Sequence, residues 1–433
     1  MGSLIIGGVA FAGDAFALQP LEQFVAAAQA QSTDVVEARA TAEQHDAESK
    51  QAWLKLAPNF TAKGTYAHNQ YDAEIPAIAL GQPSTNPPIV IAPYDQFDAY
   101  FTVALPLVDV GSWLRIGGAS ATAEAGRLRA GASQLDIAKS TTQTYYQIVA
   151  DAAAIDAAKR AQGASEDNLK VVRDRLSAGT ASELDVERAR AEVERAKQTV
   201  ASAEVAYVKA RRAMETATGI RPAEGAMPAL GDGLAPETPL AALEPGTDSL
   251  PAVRAARLET KSAARTAQSA YAALAPTVTA SATEHLTNAT SFSAQAASYQ
   301  ILFTAQWTLD ASVYYGAKAS DAARAAAAAR QRRTELAARD DLFNAWHQVD
   351  AQIATARAAQ AQLDASTHAA KLVRDRYAVG SATQLEVTQA DRDALQAEIA
   401  KIQAFSDLAY ARALVKLDSG KVAPPALANE GAP

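Results

Sequence analysis

The chain has 433 residues, no cysteine, a net charge of −8 and a pI near 5.3, with 49% hydrophobic, 20% charged and 6% aromatic residues. The missing thiols exclude disulfides, thiolate metal sites, cysteine nucleophiles and a lipid-modified N-terminal cysteine. The acidic balance argues against the basic footprint that nucleic acid demands. Alanine-rich, aromatic-poor sequence of this length favours long helices with closely approaching backbones over a thick core of large side chains.

The N-terminus reads MGSLIIGGVAFAGDAFALQP, with an apolar run from Leu4 to Ala12 and small residues at Ala15-Phe16-Ala17. Residues 1–17 therefore fit a secretory leader, although a positive start is missing and Asp14 interrupts the pattern. The alternative is a leader with no structural role. No other stretch reaches the ~20 apolar residues of a membrane-spanning helix, so any crossing must be made by strands.

The segment 58–110 carries the first strand pair. Phe97, Ala99, Phe101, Val103 and Leu105 alternate with Asp98, Tyr100, Thr102 and Ala104, and Phe60, Ala62 and Tyr66 mark a weaker partner. About ten residues with one apolar and one polar face suit a membrane β-barrel with a wet lumen. An amphipathic hairpin on a soluble core is the plainer alternative. Tyr71, Tyr94 and Trp113 lie near the segment ends, where interfacial aromatics sit.

A helical hairpin is expected over about 118–218, its tip at 179–182. The stretch from about Ser120 to Ala178 spans ~90 Å at 1.5 Å per residue. Beyond the break, Ala189, Val193, Ala196, Val200, Ala203, Tyr207, Ala210, Met214 and Ala217 recur in steps of four and three, a coiled-coil period. Gly179 suits the left-handed position past a helix end, and Thr180 and Ser182 can cap the next helix, with Glu183 and Asp185 in its first turn.

The chain then repeats itself. VRDRLSAGTASELDVERA (172–189) and VRDRYAVGSATQLEVTQA (373–390) share nine of eighteen positions at an offset of 201, and Asp109 matches Asp310 at the same offset. Upstream, LAPNFTA (56–62) resembles LAPTVTA (274–280) at an offset of 218, so the first copy holds 17 extra residues, placed in the Pro-rich stretch 76–93. The organisation is a first repeat over 18–219, a connector over 220–250, a second repeat over 251–420 and a tail over 421–433. The second repeat has strands at about 276–312 and a hairpin at about 318–418 with its tip at 380–383. Trp307, Tyr314 and Tyr315 are its interfacial aromatics, and Gly380, Ser381, Thr383 and Glu386 repeat the break.

Four strands cannot close a barrel, and an open edge in hydrocarbon leaves backbone groups unpaired. Two copies would give eight strands and a filled interior, and three would give twelve with room for a channel. Hairpins this long around a conduit favour three.

The twice-written R-x-x-x-G-x-x-x-x-L-[DE]-V-x-x-A tip, the LAP-x-x-T-A strand starts and ALPLVD (104–109) resemble the TolC-like outer-membrane efflux proteins over nearly the whole chain. That resemblance implies a mainly α fold with a membrane β-barrel: a homotrimer whose twelve-stranded barrel joins an α-helical barrel and an equatorial belt. It implies an exit duct for efflux or type I secretion in the outer membrane of a Gram-negative bacterium, partnered by a periplasmic adaptor and an inner-membrane transporter, with no cofactor. It places Glu386 in an acidic pore ring at the periplasmic end, with Gln389 where some relatives have a second acid. It ties Tyr377 to Asp185 in the closed state. Gly179, Thr180, Ala181, Gly380, Ser381 and Ala382 would meet the adaptor. For Glu386 the plain reading is a first-turn helix acid, and for Tyr377 a packing residue.

Three rivals remain. An enzyme has little footing: the five histidines form no i,i+4 pair, and there is no HExxH, GxSxG or GxxxxGK motif. A periplasmic adaptor would carry one hairpin flanked by a small β-rich module rather than two hairpins each behind a strand pair. A soluble coiled-coil scaffold would lack the alternating strands.

Overall fold

The computed structural model describes residues 18–308 and 310–420; the expected leader, the C-terminal tail and Leu309 lie outside them. The chain divides into two compact units.

The unit formed by 41–127 and 255–332 holds the sheet. Its strands are β1 (Asn59–His68), β4 (Asp95–Val108), β5 (Thr277–Thr287) and β6 (Ala297–Gln306), all antiparallel in the order β1-β4-β5-β6. Each repeat contributes one hairpin, and β4 pairs with β5 to join them. The stretch expected as a plain Pro-rich loop instead contains a small hairpin, β2 (Ala73–Ile75) with β3 (Ile89–Ala92). Its residues Ile75 and Ile89–Ile91 are β-branched, which suits paired strands despite the flanking prolines.

The register sorts side chains onto two faces. Phe60, Phe97, Phe101, Val103, Ile301 and Phe303 share one face and are all exposed, Ile301 by 62% and Phe303 by 69%. The opposite face carries Thr61, Thr102, Thr283 and Gln300, with the Thr102 and Thr283 hydroxyls 3.0 Å apart. Strands β1 and β6 are exposed along their whole lengths. Their outer edges are the two open sides of the sheet.

Helices leave the sheet sooner than the sequence pattern suggests. Helix α3 (Val110–Ser177) starts about eight residues ahead of the expected hairpin. Asp109 is the reason: its carboxylate accepts from the Ser112 backbone N–H at 2.8 Å and from the Ser112 hydroxyl at 2.5 Å, capping the helix one residue after the strand ends. Asp310 repeats this with Ser312 at the start of α6 (Ala311–Ala378). Helix α5 (Pro251–Ala272) packs here too, where the Ser269 hydroxyl donates to the Gly111 carbonyl at 2.9 Å.

The other unit comprises 18–40, 128–254 and 333–420 among the described residues. It contains α1 (Leu21–Gln31), most of α3, α4 (Glu183–Thr218), the connector, most of α6 and α7 (Gln384–Asp418), while α2 (Thr33–Leu54) begins in it. Its largest core is a seam of α6 residues Leu342, Ala345, Val349, Ile353, Ala356 and Ala359 against Ala404, Phe405, Leu408, Ala411 and Val415 of α7. Steps of three and four on both helices are the coiled-coil repeat, and alanine on each side lets the backbones close up. A second core gathers Leu18, Phe24, Tyr145, Ile148, Val149 and Met214.

Polar groups pin the connector to this seam. The Arg412 guanidinium lies 2.6 Å from Asp232 and 2.9 Å from Glu237 and donates to the Ala235 carbonyl at 2.6 Å. Its Nε contact with Asp232 is ionic rather than a directed hydrogen bond. Trp346 Nε1 donates to Thr238 O at 2.8 Å and Arg357 to Leu234 O at 2.8 Å.

Asp418 is buried at the end of α7, 2.5 Å from the Lys139 ammonium of α3. Burial lifts its carboxyl above the ordinary carboxylate range, and Lys139 pulls the other way. The folded state then holds this proton more tightly than the unfolded chain, so the group's contribution falls as pH rises from about 3.9 through the raised folded value. Asp418→Asn mimics the protonated side chain. Its melting temperature relative to the unmodified protein is expected to rise once the pH exceeds the unfolded-chain value of about 3.9 and to level off above the raised folded value; a gap that stays flat in thermal melts contradicts this.

Candidate functional site

The two hairpin tips share one backbone construction. Gly179 and Gly380 have φ of +74° and +80°, a left-handed conformation in which a side chain would be strained. Past each glycine the next backbone N–H reaches back five residues: Thr180 N to Arg175 O at 2.8 Å, and Ser381 N to Arg376 O at 2.9 Å. These are the helix-ending bonds of a Schellman motif. Ser182 and Thr383 then start α4 and α7 with reciprocal capping boxes, Ser182 with Asp185 and Thr383 with Glu386.

That construction assigns Glu386 a definite local task. Its carboxylate accepts from the Thr383 backbone N–H at 2.6 Å and from the Thr383 hydroxyl at 2.9 Å. The backbone bond first, and the hydroxyl after it, hold the carboxyl below the usual range, so it is charged at neutral pH. The side chain is nonetheless exposed, as are Leu385 and Gln389 on the same side of α7, whereas Val387 and Thr388 are buried.

Tyr377 does not bond Asp185 here. Asp185 is engaged by the Ser182 backbone N–H at 3.2 Å and the Ser182 hydroxyl at 2.7 Å. Tyr377 instead packs against Leu169, Val172, Ala189 and Val193 of the first hairpin, with the Arg175 guanidinium 4.3 Å above its ring. Burial pushes its phenol up, partly offset by Arg175. Arg175 also donates to the Ala378 carbonyl at 2.9 Å, joining the first tip to the second. Both Ser182 contacts fall on Asp185 Oδ2, while Oδ1 lies 4.0 Å from the Arg188 guanidinium.

Farther from the tips, two ion pairs link the hairpins: Arg160 of α3 reaches Glu398 of α7 at 2.5 Å, and Arg392 of α7 meets Glu192 of α4. A third, Arg374 of α6 with Asp391 of α7 at 2.6 Å, braces the second hairpin internally. Sequence reasoning missed all of these. Only Arg175 and Arg376, four residues before each glycine, carried a signal, as the repeated arginine of the tip motif.

The aromatics expected at a membrane interface fall at two levels of the sheet unit. Tyr71 and Tyr94 lie at the loop ends of β1 and β4, both exposed. Trp307, Trp113, Tyr314 and Tyr315 lie where strands give way to helices; Trp307 Nε1 donates to Leu274 O at 2.9 Å, and the two tyrosine rings meet edge-on at 5.6 Å. Ten strand residues tilted by 35–45° rise ~25 Å between these levels, the height of an outer-membrane apolar band. Among the described residues no helix is long and apolar enough to cross a membrane, and no three metal-ligating side chains cluster.

A duplicated chain with a four-stranded sheet, an exposed apolar face and 68-residue helices ending in twin capped tips defines the class of outer-membrane channels built from strands and long hairpins. The profile of the outer membrane efflux protein family matches residues 25–220 and 248–419, and the chain belongs to that family of transport channels. No curated protein matches the sequence significantly. Solved structures with this fold include the outer-membrane channel OprN, 21% identical, with 92% of this chain and 89% of that chain covered at a TM-score of 0.79. VceC of Vibrio cholerae is 16% identical over 92% of this chain and 96% of its own, at 0.77. The open state of MtrE from Neisseria gonorrhoeae is 19% identical over 94% and 90%, at 0.76.

Proposed function

We propose that three copies of this chain close a twelve-stranded barrel in the outer membrane of a Gram-negative bacterium. The assembly forms the exit duct of an export system whose inner-membrane transporter delivers cargo through a periplasmic adaptor. The sheet supports this reading most strongly. Its large apolar side chains are exposed on one face while both edge strands stand unpaired. In water such a face would aggregate, whereas in a closed barrel it meets lipid and each β1 edge meets a neighbouring β6. The direct check is migration on a denaturing gel with and without heating of detergent-extracted membranes. A compact band that shifts on heating is expected; extraction without detergent would contradict the barrel.

The hairpin tips are the adaptor-facing end in this reading, with Gly179, Thr180, Ala181, Gly380, Ser381 and Ala382 on the docking surface. Glu386 and Gln389 form the exposed, pore-side pair on α7, and Tyr377 with Asp185 marks the meeting of the two hairpins. Glu386 has two separable jobs, capping and charge. Glu386→Gln keeps a capping-box partner and removes the charge, while Glu386→Ala removes both. Glu386→Gln is expected to weaken cation preference in planar bilayers with only a small fall in melting temperature, from the loss of the charge-assisted cap. Glu386→Ala is expected to add a helix-cap loss of ~1 kcal/mol. Unchanged ion selectivity in both variants would leave Glu386 as a cap alone.

A further inference from the structure

Beyond the ladder that ends at His68 and Asp95, the chain carries the β1–β4 pair farther outward. The Asn69 backbone N–H donates to Tyr94 O at 2.8 Å and its side chain to Pro93 O at 2.7 Å, and β2 then pairs with β3 from Ala73–Ala92 to Ile75–Ile89. Ile89 lies six residues before Asp95, so this rim hairpin stands ~20 Å above the last β1–β4 pair. At its top the turn Ala77–Leu80 buries Ala77 and leaves Ile78 68% exposed. The second repeat has only the short loop 288–296 at this level. Asn288 pins that loop to β4, donating to Asp95 O at 2.6 Å and accepting from the Phe97 N–H at 2.7 Å. The loop turns its largest side chain outward. Phe292 is 61% exposed, and on either side of the Phe292–Ser293 pair Ser291 and Ala294 hold φ of +46° and +52°. Left-handed backbone is unfavourable for residues with a side chain and concentrates where it serves a function.

Lateral order decides what lies beside Phe292. Within one chain β3 packs against the Ser291–Ser293 turn, so β2, on the far side of β3, faces away from its own chain's loop. β2 continues β1, and β1 is the edge that meets the neighbouring copy's β6 when the barrel closes. The open edge of β2 therefore comes beside the neighbour's β5–β6 loop, which carries Phe292. We propose that Phe292 of each copy docks on the β2 side of the next copy's rim hairpin, against Ile75 and Ile78. Three such contacts form a closed collar above the membrane barrel. The collar follows the barrel interface outward, so it rests on the channel reading above and adds to it a contact between copies that no β1–β6 ladder supplies. Its driving force is removal of one phenyl and two isoleucine side chains from water at each contact.

The chain has no cysteine, so introduced thiols report without background. Ala73→Cys on β2 and Ser293→Cys beside Phe292 are combined, and isolated outer membranes are treated with a short bismaleimide before boiling in denaturant. Covalent dimers and trimers are expected from the double variant, and single chains from either variant alone. Adding Phe292→Asp to the double variant is expected to cut the covalent trimer about tenfold, whereas Phe292→Trp keeps it. A double variant that yields only single chains overturns the collar, and this is the result if outer-leaflet lipid covers Phe292 instead. A yield that Phe292→Asp leaves unchanged also overturns it. In either case a heat-modifiable trimer without cross-linker leaves the channel standing. An unmodified chain that gives no such trimer overturns both.

Discussion

Ile301→Arg is expected to abolish accumulation of the protein in the outer membrane, while Leu302→Arg, one residue along the same strand, is tolerated. Both side chains are solvent-accessible in the single chain, at 62% and 48%. Exposure therefore does not distinguish them; register does. Ile301 lies opposite Ala282 on the face of Phe60, Phe101 and Phe303, and Leu302 lies opposite Ser281 on the face of Thr102 and His285. Both sit near the middle of β6, where an arginine facing lipid costs about 2–4 kcal/mol, and a trimer incurs that three times. An arginine facing a wet lumen keeps its hydration. Membrane fractionation with a heat-shift gel reads the outcome, and equal tolerance of the two variants would mean that the face assignment is wrong.

Arg412→Ala should loosen the connector without breaking the hairpins. The guanidinium serves two carboxylates and a carbonyl at once, and all three ionic side chains are mostly buried. Removing it leaves Asp232 and Glu237 facing each other with no cation between them. Breaking a buried pair from one side costs about 3 kcal/mol or more. That loss corresponds to roughly a hundredfold rise in the open population of the connector. Limited proteolysis should show it as faster cleavage within 228–240. Arg412→Lys restores the charge but not the fork, so its cleavage rate should fall between the two. An Arg412→Ala protein cut no faster than the unmodified chain would show that Trp346 and Arg357 hold the connector by themselves.

The sequence shows most of the architecture because the architecture is periodic. The alternation at Phe97–Leu105 and Tyr299–Trp307 marks strands that the structure places at β4 and β6. The four-three stepping from Ala189 onward marks α4, where Ala189, Val193, Ala196, Val200 and Met214 are buried. The doubled tip was legible because a left-handed glycine and a cap are local chemistry. What escaped notice depends on space rather than order. Asp109 looked like a residue after a strand, yet its side chain starts α3 at once. Arg160 and Glu398 are 238 residues apart, and nothing in either helix alone announces their meeting. The sequence also does not show that Asp185 spends one carboxylate oxygen on its own Ser182 cap while Tyr377 packs under the Arg175 guanidinium.

Assembly is the claim on which the pore and the tips depend, and its mass is directly measurable. Native mass spectrometry of the detergent-extracted particle should give three chains per particle, with no smaller folded species released until the micelle is stripped. A stable single chain that remains folded and dispersed in plain buffer would contradict the account.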